Sequence, residues 1–153
     1  INHVAKYLPN SEISWGVFAQ TINKKMHTAN LGFGGTEDKS LGVYFATDND
    51  LDDAERFAEK VLKYLWDDAF KLGRKELFND CSQGLSAVIE AYEDAKGDPL
   101  KKVLVPEVYN EMQKKMAEMA AEQAKTAEEK TSEEEAAESA AEDNPAQKPA
   151  GEE

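Results

Sequence analysis

The chain has 153 residues and a formal net charge of −13, most of it towards the C-terminal end. Residues 111–153 contain 13 acidic and 5 basic side chains, so they carry −8, and residues 1–110 carry the remaining −5. A chain this acidic has no long-range attraction for phosphates, which argues against direct binding of nucleic acid. No apolar run approaches the roughly 20 residues that cross a bilayer, and no basic and then apolar leader pattern opens the chain. We therefore expect a soluble, cytoplasmic protein.

The first predicted helix begins near Trp15. Apolar residues recur there at spacings of three and four, so they share one helical face. This stripe consists of Trp15, Phe18, Ile22 and Met26. Ser14 precedes it and is a favourable N-cap residue. The glycines within residues 32–35 then predict a loop.

The clearest helical pattern in the chain runs from Leu51 to Phe70. Its apolar face consists of Leu51, Ala54, Phe57, Ala58, Val61, Leu62, Leu65, Trp66, Ala69 and Phe70. Four aspartates lie at residues 48–53, where carboxylates favour the positive end of a helix dipole. Gly73 is expected to end the helix or to kink it before Arg74.

Two further helices are predicted beyond this one. The third covers residues 82–96, with Gly97 and Pro99 as stop signals. Its apolar face consists of Leu85, Val88, Ile89 and Tyr92. Pro106 suits the first turn of the fourth helix, whose thinner stripe consists of Tyr109, Met112, Met116 and Met119.

The predicted fold is mainly α: a small helical bundle followed by a long acidic, partly disordered tail. The bundle is expected to occupy residues 1–100, and an additional amphipathic helix residues 101–120. Residues 121–153 form the Ala- and Glu-rich tail, which buries too little apolar area to dock and should be partly or wholly disordered. The predicted core consists of Trp15, Phe18, Ile22, Tyr44, Phe45, Phe57, Val61, Leu62, Leu65, Trp66, Phe70, Leu85, Val88 and Ile89.

Most candidate chemical groups have a structural explanation. The adjacent carboxylates Asp67 and Asp68 point about 100° apart on a helix and do not converge on one ion. Trp66 falls on the core face, and the lone Cys81 fits a buried or half-buried thiol in a reducing compartment. The two histidines belong to no metal or nucleophile motif and are expected to be solvated. No catalytic or metal-binding residue is therefore assigned.

The turn around Lys39 is the exception. A lysine held in a turn just before a long helix can reach a phosphate as a mobile point charge. The alternative is that Lys39 is a solvated turn residue, while Leu41, Tyr44 and Phe45 anchor the loop to the helices. Both interpretations of Lys39 remain open from the residues alone.

Four elements in the same order resemble the C-terminal part of McrB-like AAA+ NTPases, the motor subunits of methylcytosine-dependent restriction systems. The similar elements are a helix that begins with tryptophan, a Glu-Asp-Lys-x-x-Gly-x-x-Phe segment, a Lys-Val-Leu-x-Tyr-Leu-x-x-Asp-Ala helix and a final Arg-x-x-Leu-Phe segment. They correspond to residues 15–25, 37–45, 60–69 and 74–78. The resemblance covers about residues 5–97, and the acidic tail has no counterpart in it.

The resemblance implies that the chain is the lid subdomain of such a motor and packs against an upstream nucleotide-binding core. The complete protein would hydrolyse GTP or ATP with Mg²⁺ in a ring of subunits and drive DNA translocation for a partner nuclease. The chain lacks Walker motifs, so by itself it is expected to be inactive. Lys39 would then sense phosphate as the lid closes. Because Ile1 is not methionine, we also expect an upstream part.

Two other functions remain open from the sequence. The chain is also consistent with a free-standing helical interaction module whose acidic tail engages a basic partner. A DNA-mimic inhibitor of restriction is less well supported, because its charges should line a rigid surface, whereas most of the acidic excess lies in the tail.

Overall fold

The computed structural model describes residues 3–29 and 39–125, and this part of the chain is mainly helical. Helix α1 is Trp15–Thr28, α2 is Asp48–Leu51, α4 is Leu85–Asp94 and α5 is Pro99–Val103. Helix α3 is a continuous run that comprises Ala54–Phe57 and two π-helical segments, Ala58–Leu62 and Leu65–Ala69. Helix α6 covers residues 106–116. Short 3-10 turns lie at His3–Ala5 and Arg74–Glu76.

The chain divides into two units, Ile1–Met116 and Ala117–Glu153. In the second unit, residues 117–125 are helical. The predicted disorder of the tail from residue 126 onwards, and the predicted glycine loop at 32–35, lie outside the described residues. None of the helices within residues 3–29 and 39–125 has the length and apolar character needed to cross a membrane.

Helix α1 forms as its sequence predicts. The Ser14 side chain accepts a hydrogen bond from the Val17 N–H and so caps the first turn. The stripe predicted from the spacing is buried, with exposures of 1% or less: Trp15, Phe18, Ile22 and Met26.

The predicted single helix from Leu51 to Phe70 was wrong at its start and correct to within one residue at its end. Helix α2 ends at Leu51, and Asp53 starts α3 separately by accepting hydrogen bonds from the two N–H groups of Glu55 and Arg56. Aspartate side chains compete with helical continuation because they bind nearby backbone donors. At the other end, the last helical residue is Ala69, four positions before Gly73.

Helix α4 is shorter than predicted at its start. The Asp80 carboxylate accepts hydrogen bonds from both the N–H and the hydroxyl of Ser82, at 2.9 and 2.7 Å, which holds Ser82 in a turn. Gly84 follows at φ 86°, a left-handed conformation that favours glycine. The predicted end at Lys96 was also wrong, because the last helical residue is Asp94 and Ala95 is already extended. Gly97 lies in the following turn at φ 108°.

Helix α5 was not predicted, and the proposed domain boundary at residue 100 falls inside it. Pro99 was interpreted as a stop, whereas it is the first residue of α5. Asp98 caps this helix by accepting the Leu100 N–H, and its other oxygen accepts the Tyr109 hydroxyl at 3.1 Å. The first compact unit therefore continues through α5 and α6 to Met116.

One hydrophobic core joins the helices of the first unit. The α1 ring of Phe18 meets Phe57 of α3 at 5.8 Å, and Phe57 in turn meets Tyr92 of α4 at 5.4 Å. Leu100 is buried in the same core. Further buried members come from residues 101–120, which were predicted to form an additional helix: Val103, Leu104, Val108, Tyr109 and Met112.

One predicted core residue was wrong. Tyr44 is 82% exposed, because its loop turns the ring outwards onto His3. Phe45, Leu85 and Ile89 are half-buried against the core. The other predicted core residues are buried: Trp15, Phe18, Ile22, Phe57, Val61, Leu62, Leu65, Trp66, Phe70 and Val88.

Candidate functional site: a tethered loop before α3

The candidate site is the segment of residues 39–47, here called the tethered loop. Its first half is held by side chains from two helices. The Tyr64 hydroxyl of α3 donates to the Lys39 carbonyl at 2.8 Å. The Asn23 side chain of α1 makes two hydrogen bonds to the Leu41 backbone. It accepts from the N–H at 2.7 Å and donates to the carbonyl at 3.0 Å. A side-chain amide thus provides the partners that a neighbouring strand would otherwise supply.

The second half of the loop is fixed in the same way. The buried indole of Trp15 donates through Nε1 to the Val43 carbonyl at 2.7 Å. The His3 ring approaches the Ala46 carbonyl at 2.9 Å through Nε2. Four backbone carbonyls of one short loop therefore have partners on distant parts of the chain. This arrangement fixes the positions of the exposed side chains of the loop before any partner binds.

A buried carboxylate secures the point where the loop enters α2. Asp50 is 3% exposed, accepts the Thr47 N–H at 2.9 Å and the Lys60 ammonium at 3.0 Å, and lies 3.4 Å from Arg56. Burial alone would raise the pKa of Asp50, but the hydrogen bonds from Thr47 and Lys60 outweigh it and lower the pKa to about 2. Lys60 also lies over the Phe45 ring, 5.7 Å from its centre, and so links the loop to α2.

The outer side of the loop presents a cation and an aromatic ring. The Lys39 side chain is exposed, and Tyr44 stacks on His3 with ring centres 5.7 Å apart and an interplanar angle of 23°. Val43 beside it is 46% exposed. A lysine on a fixed backbone can place a positive charge within a limited radius, which is the requirement for contacting an anionic ligand.

Two of the three apolar residues that were predicted to anchor the loop to the helices do so. Leu41 is 4% exposed, and Phe45 packs on Tyr64 with ring centres 4.9 Å apart, so both anchor the loop. Tyr44 does not.

Asp67, Asp68 and Trp66, which were predicted to have structural roles, lie outside the hydrogen bonds that hold the tethered loop. Asp67 pairs with Lys63 at 2.8 Å, one helical turn away, and Asp68 is exposed. Trp66 is 7% exposed, with the Arg74 guanidinium 4.6 Å above its ring. Among the described residues, no group of three or more His, Cys, Asp or Glu side chains is arranged to hold a metal ion.

Cys81 is half-buried, as expected, and its thiol donates weakly to the Phe78 carbonyl at 3.7 Å. Burial raises the pKa of this thiol, and the nearby Asp80 charge raises it further. The thiolate needed for nucleophilic chemistry is therefore disfavoured.

The expectation that both histidines are solvated was wrong for His3. The side chain of His3 is 16% exposed, and both of its ring nitrogens contact oxygens. His27 is exposed. No local pattern around His3 signals these contacts, because its partners lie 43 and 45 residues away in sequence.

Asn23 was also missed, although the sequence carries a hint. Asparagine is unfavourable inside a helix, and Asn23 lies in the middle of α1. A polar residue retained at such a position can indicate a specific partner, which here is Leu41.

Comparisons with protein families, with curated proteins and with solved structures find no significant match to this chain.

Proposed function

We propose that the chain is the lid subdomain of an McrB-like AAA+ NTPase and that it is not catalytic by itself. The supporting observation is the tethered loop, which holds Lys39 on a fixed backbone ahead of α2 and α3 and bonds it to α3 through the Tyr64 hydroxyl. This is the segment on which the resemblance in sequence is centred. The nucleotide, GTP or ATP, and its Mg²⁺ would be held by an upstream core and contacted from the lid.

In this proposal Lys39 acts through position and charge. The Tyr64 hydroxyl joins the backbone of Lys39 to α3, so a rotation of α3 carries the lysine with it. A hinge between core and lid would then bring the ammonium towards the phosphates or withdraw it. Neighbouring subunits of a ring and a partner nuclease would receive this motion and use it for DNA translocation.

The coding DNA upstream of the Ile1 codon gives the first test. We expect an in-frame Gly-x-x-x-x-Gly-Lys-Ser/Thr loop there, because a lid of this type follows its phosphate-binding core. A start codon directly before the Ile1 codon, with no such loop in the reading frame, would overturn the proposal.

Substitution of Lys39 in the complete protein gives the second test. A charge-assisted hydrogen bond contributes about 1.5–3 kcal/mol, so Lys39→Ala should weaken nucleotide binding or slow turnover by roughly 10- to 100-fold. Lys71→Ala, which removes an exposed lysine beyond the end of α3, is the matched control and should change neither. Unchanged affinity and turnover in Lys39→Ala would refute the sensing role while leaving the lid assignment to the first test.

A second candidate, a helical module that binds a basic partner, is favoured by the acidic surface formed by α3 and α4. The pKa of Glu93 is raised, first by slight burial and next by the negative charges of Glu55 and Glu59. The charges of Asp94 and Asp53 raise it further. Uncompensated like charges attract a cationic partner. A salt-dependent complex of the isolated chain with a basic protein, lost when Glu55 and Glu93 are changed to glutamine, would support this candidate. Binding that is unaffected by salt would exclude it.

A further inference from the structure

His3 stands between two acceptor oxygens. Its Nδ1 lies 2.7 Å from Oδ1 of Asp48, and its Nε2 lies 2.9 Å from the carbonyl oxygen of Ala46. Both distances are within the normal range for hydrogen bonds. The histidine therefore connects the 3-10 turn His3–Ala5 to the end of the tethered loop and to the first residue of α2.

The chemistry of these partners restricts the protonation of the ring. A backbone carbonyl only accepts hydrogen bonds, and so does an ionised carboxylate. A neutral imidazole has one N–H and one lone pair, so it can satisfy only one of the two oxygens and turns its lone pair towards the other. Both contacts are hydrogen bonds when both nitrogens carry a proton.

We propose that His3 is a proton-dependent clamp: as an imidazolium it donates to Asp48 and to Ala46 at once, and loss of a proton breaks one of the two bonds and loosens the loop. The clamp lies where the loop leads into the Thr47–Asp50 capping box, so the loss of one bond weakens the attachment of residues 44–48 to the N-terminal turn. This inference does not depend on the proposed nucleotide role.

The groups that face His3 are consistent with a cation at this position. Asp48 supplies a carboxylate from α2, and the Tyr44 ring covers one face of the imidazole from the loop. Lys6, on the same segment as His3, lies 3.4 Å from the Asp48 carbonyl. Its charge is offset by Asp52, whose Oδ1 is 2.9 Å from the ammonium. Lys6 therefore does not present an unopposed positive charge to the ring.

The direction of the pH effect follows from the proton count. The clamped form binds one more proton than the released form, so the clamp is complete at acid pH. It is lost as the pH rises and the ring gives up one proton.

The test is a nuclear magnetic resonance titration of the wild-type chain from about pH 5 to about pH 9. We expect both ring nitrogens of His3 to carry protons at the acid end. We expect the backbone amide signals of residues 44–48 to shift together with the His3 ring and not with the His27 ring. Loop signals that stay constant while His3 loses its proton would overturn the proposal, as would a neutral His3 ring at acid pH in the ordered loop.

Two variants sharpen the result. His3→Gln should abolish the pH-dependent shift of residues 44–48, whereas His27→Gln, the matched control in an exposed position of α1, should retain it in full. A loop that still titrates in His3→Gln would assign the effect to another group and refute the clamp. If His3→Gln does not fold, the comparison of the two histidine rings within the wild-type chain still decides between the outcomes.

Discussion

Replacement of Asp50 by asparagine tests whether the carboxylate at the end of the tethered loop stabilises the fold through its charge. Asparagine keeps the shape of the side chain and an oxygen that can accept the Thr47 N–H, which is 2.9 Å away in the native protein. It removes the ion pairs with Lys60 at 3.0 Å and with Arg56 at 3.4 Å. The substitution therefore isolates the electrostatic contribution.

The magnitude follows from the pKa. A lowering from 3.8 to about 2 on folding corresponds to about 2 kcal/mol of stability at neutral pH, at 1.36 kcal/mol for each pH unit. Because the folded pKa is depressed, this contribution is complete above the unfolded pKa of 3.8 and is lost as the pH falls through about 2. Asp50→Asn should therefore be less stable than the wild type by about 2 kcal/mol at neutral pH and nearly equal to it in strong acid.

Urea denaturation followed by circular dichroism measures this difference at neutral pH and at about pH 2. The difference between the two proteins is the relevant quantity, since other carboxylates lower the stability of both in acid. Asp67→Asn, which removes an exposed carboxylate paired with Lys63, is the matched control and should have a much smaller effect. A wild-type advantage that is absent at neutral pH, or that persists unchanged in acid, would refute the electrostatic explanation.

Three further outcomes are expected. Tyr92→Phe should destabilise the fold by about 1–3 kcal/mol in thermal or urea unfolding, because it leaves the buried Pro9 carbonyl without the hydroxyl that donates to it at 2.8 Å; an unchanged midpoint would show that this bond contributes nothing. Phe57→Ala, at a fully buried position, should cost about 3–5 kcal/mol, whereas Leu72→Ala, at a side chain that is 67% exposed, should change stability by less than about 0.5 kcal/mol. Cys81 should react with iodoacetamide more slowly than free cysteine near neutral pH, because its raised pKa reduces the thiolate fraction; a rate equal to that of free cysteine would contradict this.

The elements that could be predicted from the sequence are those with local determinants. Helix α1 depends on a stripe at spacings of three and four and on a cap in the adjacent residue, so both signals lie within 13 positions of one another. The apolar face of α3 was recognisable for the same reason. Helix α5 was not predicted, because a proline that follows a helical pattern is typical of a helix stop. Pro99 instead occupies the first turn of a new helix that Asp98 caps.

The candidate site was only partly predictable, because its determinants are distant in sequence. Lys39 could be identified from its position before α3, but the bonds that fix its loop join residues 18, 25 and 28 positions apart. The exposure of Tyr44 had no local signal either, since an aromatic residue beside Phe45 fits a core pattern equally well. Its orientation is set by the partners of the neighbouring carbonyls.

The tethered loop depends on the packing of α1 against α3. Its carbonyls are held by side chains on both helices, Asn23 and Trp15 on one and Tyr64 on the other, so these bonds form together only when the helices are already in place. Trp15 is also a fully buried core residue, so one side chain serves both the core and the loop. Loss of core packing should therefore release Lys39 from its fixed position before the helices themselves unfold, because the loop has fewer buried contacts to retain it.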